Sequence, residues 1–235
     1  MARKPVPDLV KILETISSDS GRRRSDVFRA FALFTACCLS FGSRETEYLA
    51  EAGRWERPQL NAFGEGLGVL ALEMDRNPYE DLLGPIHMEW GSQGDHQQLG
   101  AFYTPQDVCR LTARLILPTD LPKDRTLTLS EPACGSAAMV LAVAEALEER
   151  GVTRTRLRVD CDDVDLTAVH MAYTNLALSG IPAVVRHRNS ITLETWSAWP
   201  TPPFHLLGGP SCAPEQPVDL VLDSRGQYAM DLEVA

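Results

Sequence analysis

The chain of 235 residues is 44% hydrophobic, enough for one sizeable core or for one core plus a smaller helical layer, so global disorder is excluded. Its formal charge of -10 argues against a protein that grips nucleic acid by bulk electrostatics, because neutralising phosphates takes clustered Lys and Arg. No uninterrupted apolar run reaches the roughly 18 residues of a membrane span. No apolar signal region follows Met1-Ala2-Arg3-Lys4-Pro5, and the six cysteines form neither a CxxC pair nor a Cys/His cluster at zinc spacing. The expectation is a soluble cytoplasmic protein with reduced thiols, no metal and no membrane partner.

From Pro7 to about Asn77 the apolar pattern is helical. Val10, Ile12, Leu13 and Ile16 make one stripe, and Val27, Phe28, Ala30, Phe31, Leu33 and Phe34 a broader one. Ser25 is the expected N-cap of the second helix and Gly42 its stop. Arg22-Arg23-Arg24 reads either as a local DNA contact or as a solvated turn before that helix. A third helix is expected over Glu45 to Ala52, and a fourth from Pro58 to Met74 interrupted in regularity by Gly64, Gly66 and Gly68. Between Pro78 and Leu99 the periodicity fades, and Gly91 to Gln98 reads as a loop and a boundary.

Beyond it the chain changes character. Helices are expected over Pro105 to Leu117, Ala137 to Arg150 and Asp165 to Ser179, and strands over Thr126 to Ser130, Leu157 to Asp162 and Ala183 to His187. Strands alternating with helices imply right-handed crossovers and a parallel sheet with helices on both faces. The expected class is therefore α/β, a doubly wound sheet over residues 100–235 preceded by a helical region over 1–99.

In Thr126 to Ala137 an apolar strand runs into Glu131, then the small residues Pro132-Ala133-Cys134-Gly135-Ser136, then a helix. Ligands of open parallel sheets dock beyond the carboxyl ends of the strands, where small residues admit a close approach and a carboxylate accepts hydrogen bonds from a cationic amine. The second strand ends in Cys161-Asp162-Asp163-Val164-Asp165; Asp165 suits an N-cap, which leaves Asp163 to take ribose hydroxyls. The third strand delivers Asn189 to the same edge, either as a turn residue or as a ligand.

These residues resemble the adenine-N6 DNA methyltransferases, especially the methylation subunit of type I restriction-modification systems and short plasmid or phage methylases. The likeness runs from about Asp81 to Phe204 in ordered blocks. Asp81-Leu82-Leu83-Gly84 and Gly100-Ala101-Phe102-Tyr103-Thr104-Pro105 are similar to the family's lead-in and its G-x-[FY]-[FY]-T-P block. Glu131 to Ala137 is similar to [DE]-P-A-C-G-x-G, with Ala137 and Ala138 where glycine is common. The resemblance implies a Rossmann-type methyltransferase fold with S-adenosylmethionine as cofactor. It puts Phe102, Tyr103 and Thr104 at the methionine end, Glu131, Ala133 and Gly135 at the amine, Asp163 at the ribose and Asn189 at the adenine.

Adenine-N6 transfer needs the base out of the duplex and stacked, with its amine polarised toward the methyl donor. In the family a [DNS]-P-P-[YF] tetrapeptide serves this end, and Thr201-Pro202-Pro203-Phe204 is the nearest match. Two readings stand for it: Phe204 stacks and the Pro202 carbonyl accepts, or the segment is an ordinary rigid loop. Residues 193–200 lack the apolar strand that leads into the tetrapeptide. Val218-Asp219-Leu220-Val221-Leu222 is a better strand, but Asp223-Ser224-Arg225-Gly226 follows it. Trp196 and Trp199 serve as a stacking platform or as packing. With no segment after Phe204 long enough for target recognition, DNA is expected as substrate and a separate specificity subunit or a homo-oligomer as partner. The alternatives are a degenerate module that binds cofactor or DNA without transfer, and methylation of RNA or of a protein glutamine.

Overall fold

A computed structural model of the protein describes residues 6–90, 104–121 and 125–207, with the strand pairs 221–222 and 228–229. The first half is helical: α1 (Pro7–Ser20), α2 (Arg24–Leu39), α3 (Glu45–Ala52), α4 (Arg57–Arg76) and α5 (Leu83–Trp90). Proline opens α1, and Gly21 closes it at φ 64°, a left-handed turn that costs glycine little. Helix α2 starts one residue before the expected cap, so Ser25 lies inside its first turn, and it ends at Leu39 ahead of Gly42.

Three glycines leave α4 unbroken. Its start is fixed by a reciprocal pair in which the Glu56 side chain accepts from the Gln59 backbone and Gln59 accepts from the Glu56 N–H. A Cβ on Gly66 would stand 3.1 Å from the Phe31 ring and 3.2 Å from Leu9, so the missing side chain lets α4 close onto α1 and α2. Phe63 then packs against Phe34 and Trp55, with ring centroids 5.0 and 4.9 Å away. Where the periodicity fades, α5 forms after all: the Asp81 carboxylate accepts the Gly84 N–H at 2.9 Å and caps it. The loop expected over Gly91 to Gln98 lies outside the described residues.

The second half is α6 (Gln106–Ile116), β1 (Leu127–Glu131), α7 (Ala138–Glu148), β2 (Leu157–Asp163), α8 (Leu166–Leu178), β3 (Ala183–Arg188), β4 (Thr195–Pro200) and α9 (Pro202–Leu206). The sheet runs β1-β2-β3-β4, parallel through β3, with β4 antiparallel to it. This mixed α/β architecture matches the expected class. The strand β4 was not expected: residues 195–200 fold back on β3 as a hairpin, with Trp199 buried beside it. Of the expected strand 218–222, Val221–Leu222 form β5, paired antiparallel with β6 (Tyr228–Ala229); residues 218–220 lie outside the described residues.

Strand order advances one way from β1 to β3, so right-handed crossovers carry α7 and α8 over the same face. Burial alternates accordingly. Leu157, Val159 and Cys161 of β2 and Ala183 and Val185 of β3 are buried. On the opposite face Arg186 bridges Asp160 at 2.9 Å and Asp162 at 2.7 Å, and Arg188 reaches Asp162 at 3.5 Å. Among the described residues, helices thus cover one face rather than both. The helical layer stacks on α8, whose Ala168 and Met171 join its core, while Ala36, Cys37 and Tyr79 of the layer join the core beneath the sheet.

Candidate cofactor site

Parallel pairing brings the carboxyl ends of β1, β2 and β3 to one edge, with Glu131 opposite Cys161 and Asp163 opposite His187. Between β1 and α7 the chain turns through Gly135 at φ 54° and Ala137 at φ 68°. Both are left-handed, and the second is an alanine, a conformation that costs a non-glycine residue on the order of 1 kcal/mol. The turn is held by its neighbours. The Cys134 N–H donates to the Asp162 carbonyl at 3.0 Å and the Ala137 N–H to the Cys134 carbonyl at 2.7 Å. The Gly135 N–H donates to Asp163 Oδ2 at 2.8 Å, and the Ser190 hydroxyl closes on the Pro132 carbonyl.

Glu131, Ala133, Gly135 and Asp163 therefore share one rim. Asp163 also accepts the Asp165 N–H at 2.9 Å, and Asp165 caps α8 by accepting the Thr167 N–H at 2.8 Å, as expected of it. Burial raises the pKa of the Asp163 carboxyl against the lowering effect of these backbone N–H groups, and the Asp165 charge raises it further. Burial likewise raises Glu131; the Ala133 N–H, 3.4 Å away, pulls it back, and the Asp163 charge pushes it up. Two half-buried carboxylates thus stand at one edge of the sheet, Asp163 with a backbone donor on each oxygen and Glu131 with a single long one. Cys134 is buried, and the Cys161 thiol and burial hold its pKa well above the usual range.

Thr104 is exposed just before α6, its carbonyl 3.6 Å from the Cys109 thiol. The Cys109 pKa is raised by burial and then by the charges of Asp81 and Glu131. Phe102 and Tyr103 lie outside the described residues. Asn189 reaches the rim edge, but its Oδ1 accepts the N–H groups of Ile191 at 3.0 Å and Thr192 at 3.1 Å, so the turn already uses that oxygen.

The tetrapeptide is not brought to this rim. The β4 hairpin returns the chain along β3, so Thr201 stands beside Ala183, the first residue of that strand, with its N–H on the Ala183 carbonyl at 2.8 Å. Asn189 follows the last residue; six steps at about 3.3 Å put the two on the order of 20 Å apart. The Thr201 side chain is 0% exposed, donating to the Ile181 carbonyl and accepting the Ala183 N–H, each at 2.9 Å. Pro202, Pro203 and Phe204 begin the short helix α9 rather than a loop. The catalytic expectation for Thr201, Pro202, Pro203 and Phe204 is corrected on this ground: the hairpin reverses direction, and the threonine hydroxyl is spent on the backbone.

Trp199 is packing, against His170 at 4.9 Å and Tyr173 at 5.6 Å with the Arg44 guanidinium above it at 4.2 Å. Trp196 is 48% exposed and lies against His187 at 4.5 Å. The arginine run leads from the turn after α1 into the first residue of α2: Arg22 covers Trp55, Arg23 pairs with Asp26 and Arg24 with Glu14. A buried cluster that sequence reasoning passed over lies behind the rim, where Asp81 accepts the Ser136 hydroxyl at 2.5 Å and the Asn175 amide at 3.1 Å. The Asp81-x-x-Gly84 spacing was the available signal, since an acid three residues before a helical N–H is a capping pattern.

A family model described as N-6 DNA Methylase matches residues 79–207. No curated protein matches the chain. Among solved structures it is similar to a Listeria monocytogenes protein assigned to the class I S-adenosylmethionine-dependent methyltransferases, at 16% identity over 79% of this chain and 54% of that one, with a TM-score of 0.44. It is also similar to the methyltransferase subunit of a type I restriction-modification system from Streptococcus thermophilus, at 18% identity over 77% of this chain and 39% of that one, with a TM-score of 0.36. The chain thus spans about half of the first structure's length and less of the second's.

Proposed function

The chain belongs to the N-6 DNA methylase family, and from that membership we propose that its rim binds S-adenosylmethionine for DNA adenine-N6 methylation, with the base-handling groups supplied from outside Thr201–Phe204. One observation carries the reading: Gly135 closes onto Asp163 beside Glu131, leaving two carboxylates with raised pKa values at the ligand edge of a parallel sheet. Glu131 would take the ammonium of the methionine portion and Asp163 the ribose hydroxyls, each gaining a donor for a lone pair that burial has deprived of water. The residues present fit this cofactor, whose sulfonium would supply an electrophilic methyl group. The turn of small residues, Ala133 among them, lets the backbone approach the ligand. Thr104 flanks the amine end, and Asn189 contributes to the adenine through its amide nitrogen or its backbone.

The chain's own part is orientation: it holds the donor at a fixed edge, and proximity lowers the barrier once an acceptor amine is presented there. With a formal charge of -10 it meets DNA better beside a basic specificity subunit, or as one of several copies, than by itself. The buried Thr201 hydroxyl favours a second reading, in which the chain binds cofactor within a restriction-modification assembly and transfers nothing.

Calorimetry and labelled-methyl transfer test both. S-adenosylmethionine is expected to bind the parent protein and to lose its affinity in a folded Asp163→Ala variant. Transfer to DNA is expected with an added specificity subunit or from a homo-oligomer; binding with no transfer in any assembly selects the second reading. Thr201→Val should cost about 1–3 kcal/mol of stability, because it strands two buried backbone groups, while leaving cofactor affinity alone. Transfer by the chain alone, abolished in a folded Phe204→Ala variant, would return the tetrapeptide to the site. A parent protein that binds no cofactor would sink the proposal.

A further inference from the structure

The Asp81 carboxylate sits where three parts of the chain meet. It accepts the Gly84 N–H at 2.9 Å at the start of α5, the Ser136 hydroxyl at 2.5 Å in the turn before α7, and the Asn175 side-chain amide at 3.1 Å in the middle of α8. Asn175 donates again, to the Ser136 carbonyl at 2.8 Å, so both polar ends of Ser136 are gripped. Asp81, Ser136 and Asn175 are all buried. Gly84 belongs to the same construction, because a Cβ there would stand 2.2 Å from Asp81 Oδ2 and 2.7 Å from Ser136 Oγ.

Ser136 is flanked by the two left-handed residues of the turn, Gly135 and Ala137. The Gly135 N–H that closes onto Asp163 is one peptide away from it. The local bond from the Ala137 N–H to the Cys134 carbonyl does not hold Ser136 itself, and the only groups fixing the Ser136 side chain and carbonyl among the described residues are Asp81 and Asn175. We infer that Asp81 is a positioning residue for the cofactor turn: acting through Ser136, with Asn175 as the second arm, it holds residues 134–137 in the shape that presents the Gly135 N–H to Asp163. The helical layer is in this way part of the site's construction although it contributes no rim residue. The cofactor side of this inference rests on the reading that the rim binds S-adenosylmethionine.

The test separates turn order from ligand binding. Amide hydrogen exchange at Cys134, Gly135 and Ala137 is measured in the parent protein, in Ser136→Ala and Asp81→Asn, and in Thr35→Val as a control. Thr35 loses a buried hydroxyl contact with Thr174, 3.2 Å away in the α2–α8 interface and one residue before Asn175, while its hydroxyl bonds Ala32 and Thr174 rather than the turn. Ser136→Ala and Asp81→Asn are expected to speed exchange at those amides and to weaken S-adenosylmethionine binding about tenfold, the equivalent of one lost buried hydrogen bond. Thr35→Val is expected to lower thermal stability while leaving turn exchange and affinity as in the parent. Equal exchange in Ser136→Ala and the parent, or the same acceleration in Thr35→Val, overturns the inference. Should Asp81→Asn fail to fold, Ser136→Ala decides alone. If the parent binds no cofactor, the proposed function fails, and the exchange comparison still decides whether Asp81 orders the turn.

Discussion

His170 shows how much one buried side chain responds to its surroundings. It lies on α8 under the Trp199 ring, and burial, followed by the nearby charges of His187 and Arg44, pushes its pKa down to about 3, with Glu47 acting the other way. A base whose folded pKa is depressed is neutral in the native state and takes a proton on unfolding. Its contribution is therefore fully present above the unfolded value near 6.5 and is lost as pH falls toward 3, at up to about 1.4 kcal/mol per pH unit. The raised carboxyls of Asp81, Glu131 and Asp163 act with the opposite sign, since they hold protons more readily folded than unfolded. Urea unfolding of the parent and of His170→Leu across pH 4 to 7 isolates the histidine: the difference in stability between them is expected to change with pH, and a constant difference would refute the assignment. At this scale Asp163 and Asp165 were legible, because a strand-end acid and an N-cap follow from local order. Thr201 was not, because the partners of its hydroxyl, Ile181 and Ala183, are some twenty residues earlier in the chain.

At the scale of elements, α4 separates helix propensity from packing. A Cβ on Gly64 or Gly68 meets nothing within 4 Å, whereas one on Gly66 presses on Phe31 and Leu9. Gly64→Ala and Gly68→Ala should each raise stability by about 0.5–1 kcal/mol through backbone entropy alone, and Gly66→Ala should gain less or lose, as read from thermal midpoints. Equal gains at all three positions would show that α4 is not held at this distance by the glycine. The helices with a strong apolar stripe, α1 and α2, were visible in the sequence. Helix α5 and strand β4 were not: α5 depends on the Asp81 cap, and β4 is a short run of Trp, Ser and Ala that becomes a strand by pairing with β3.

For the molecule as a whole, the helical layer and the sheet do not have separate interiors. Phe28, Phe31 and Leu70 pack in one cluster with Ala168 and Met171 of α8, and Ala36, Cys37 and Tyr79 pack in the other with the sheet. The Tyr173 hydroxyl donates to the Leu39 carbonyl at 3.2 Å, and Arg44 lies over Trp199, tying α2 and the turn after it to α8 and β4. Residues 100–235 expressed alone are thus expected to lack a cooperative unfolding transition and to bind no S-adenosylmethionine. A cooperative, cofactor-binding fragment would show that the layer is dispensable.

By itself the sequence determined the α/β class, the turn of small residues after β1 and the place of the carboxylates Glu131 and Asp163 at strand ends, because each depends on residues adjacent in the chain: an apolar strand, a run of small residues, an acid at a strand end. Family membership followed from the same blocks. Tertiary structure alone decided that Thr201–Phe204 lies at the far end of β3, that the Asn189 oxygen closes a turn, and that Asp81 reaches Ser136 and Asn175. Those facts depend on which way a hairpin returns and on which distant segments share a buried volume, and neither is written in local spacing.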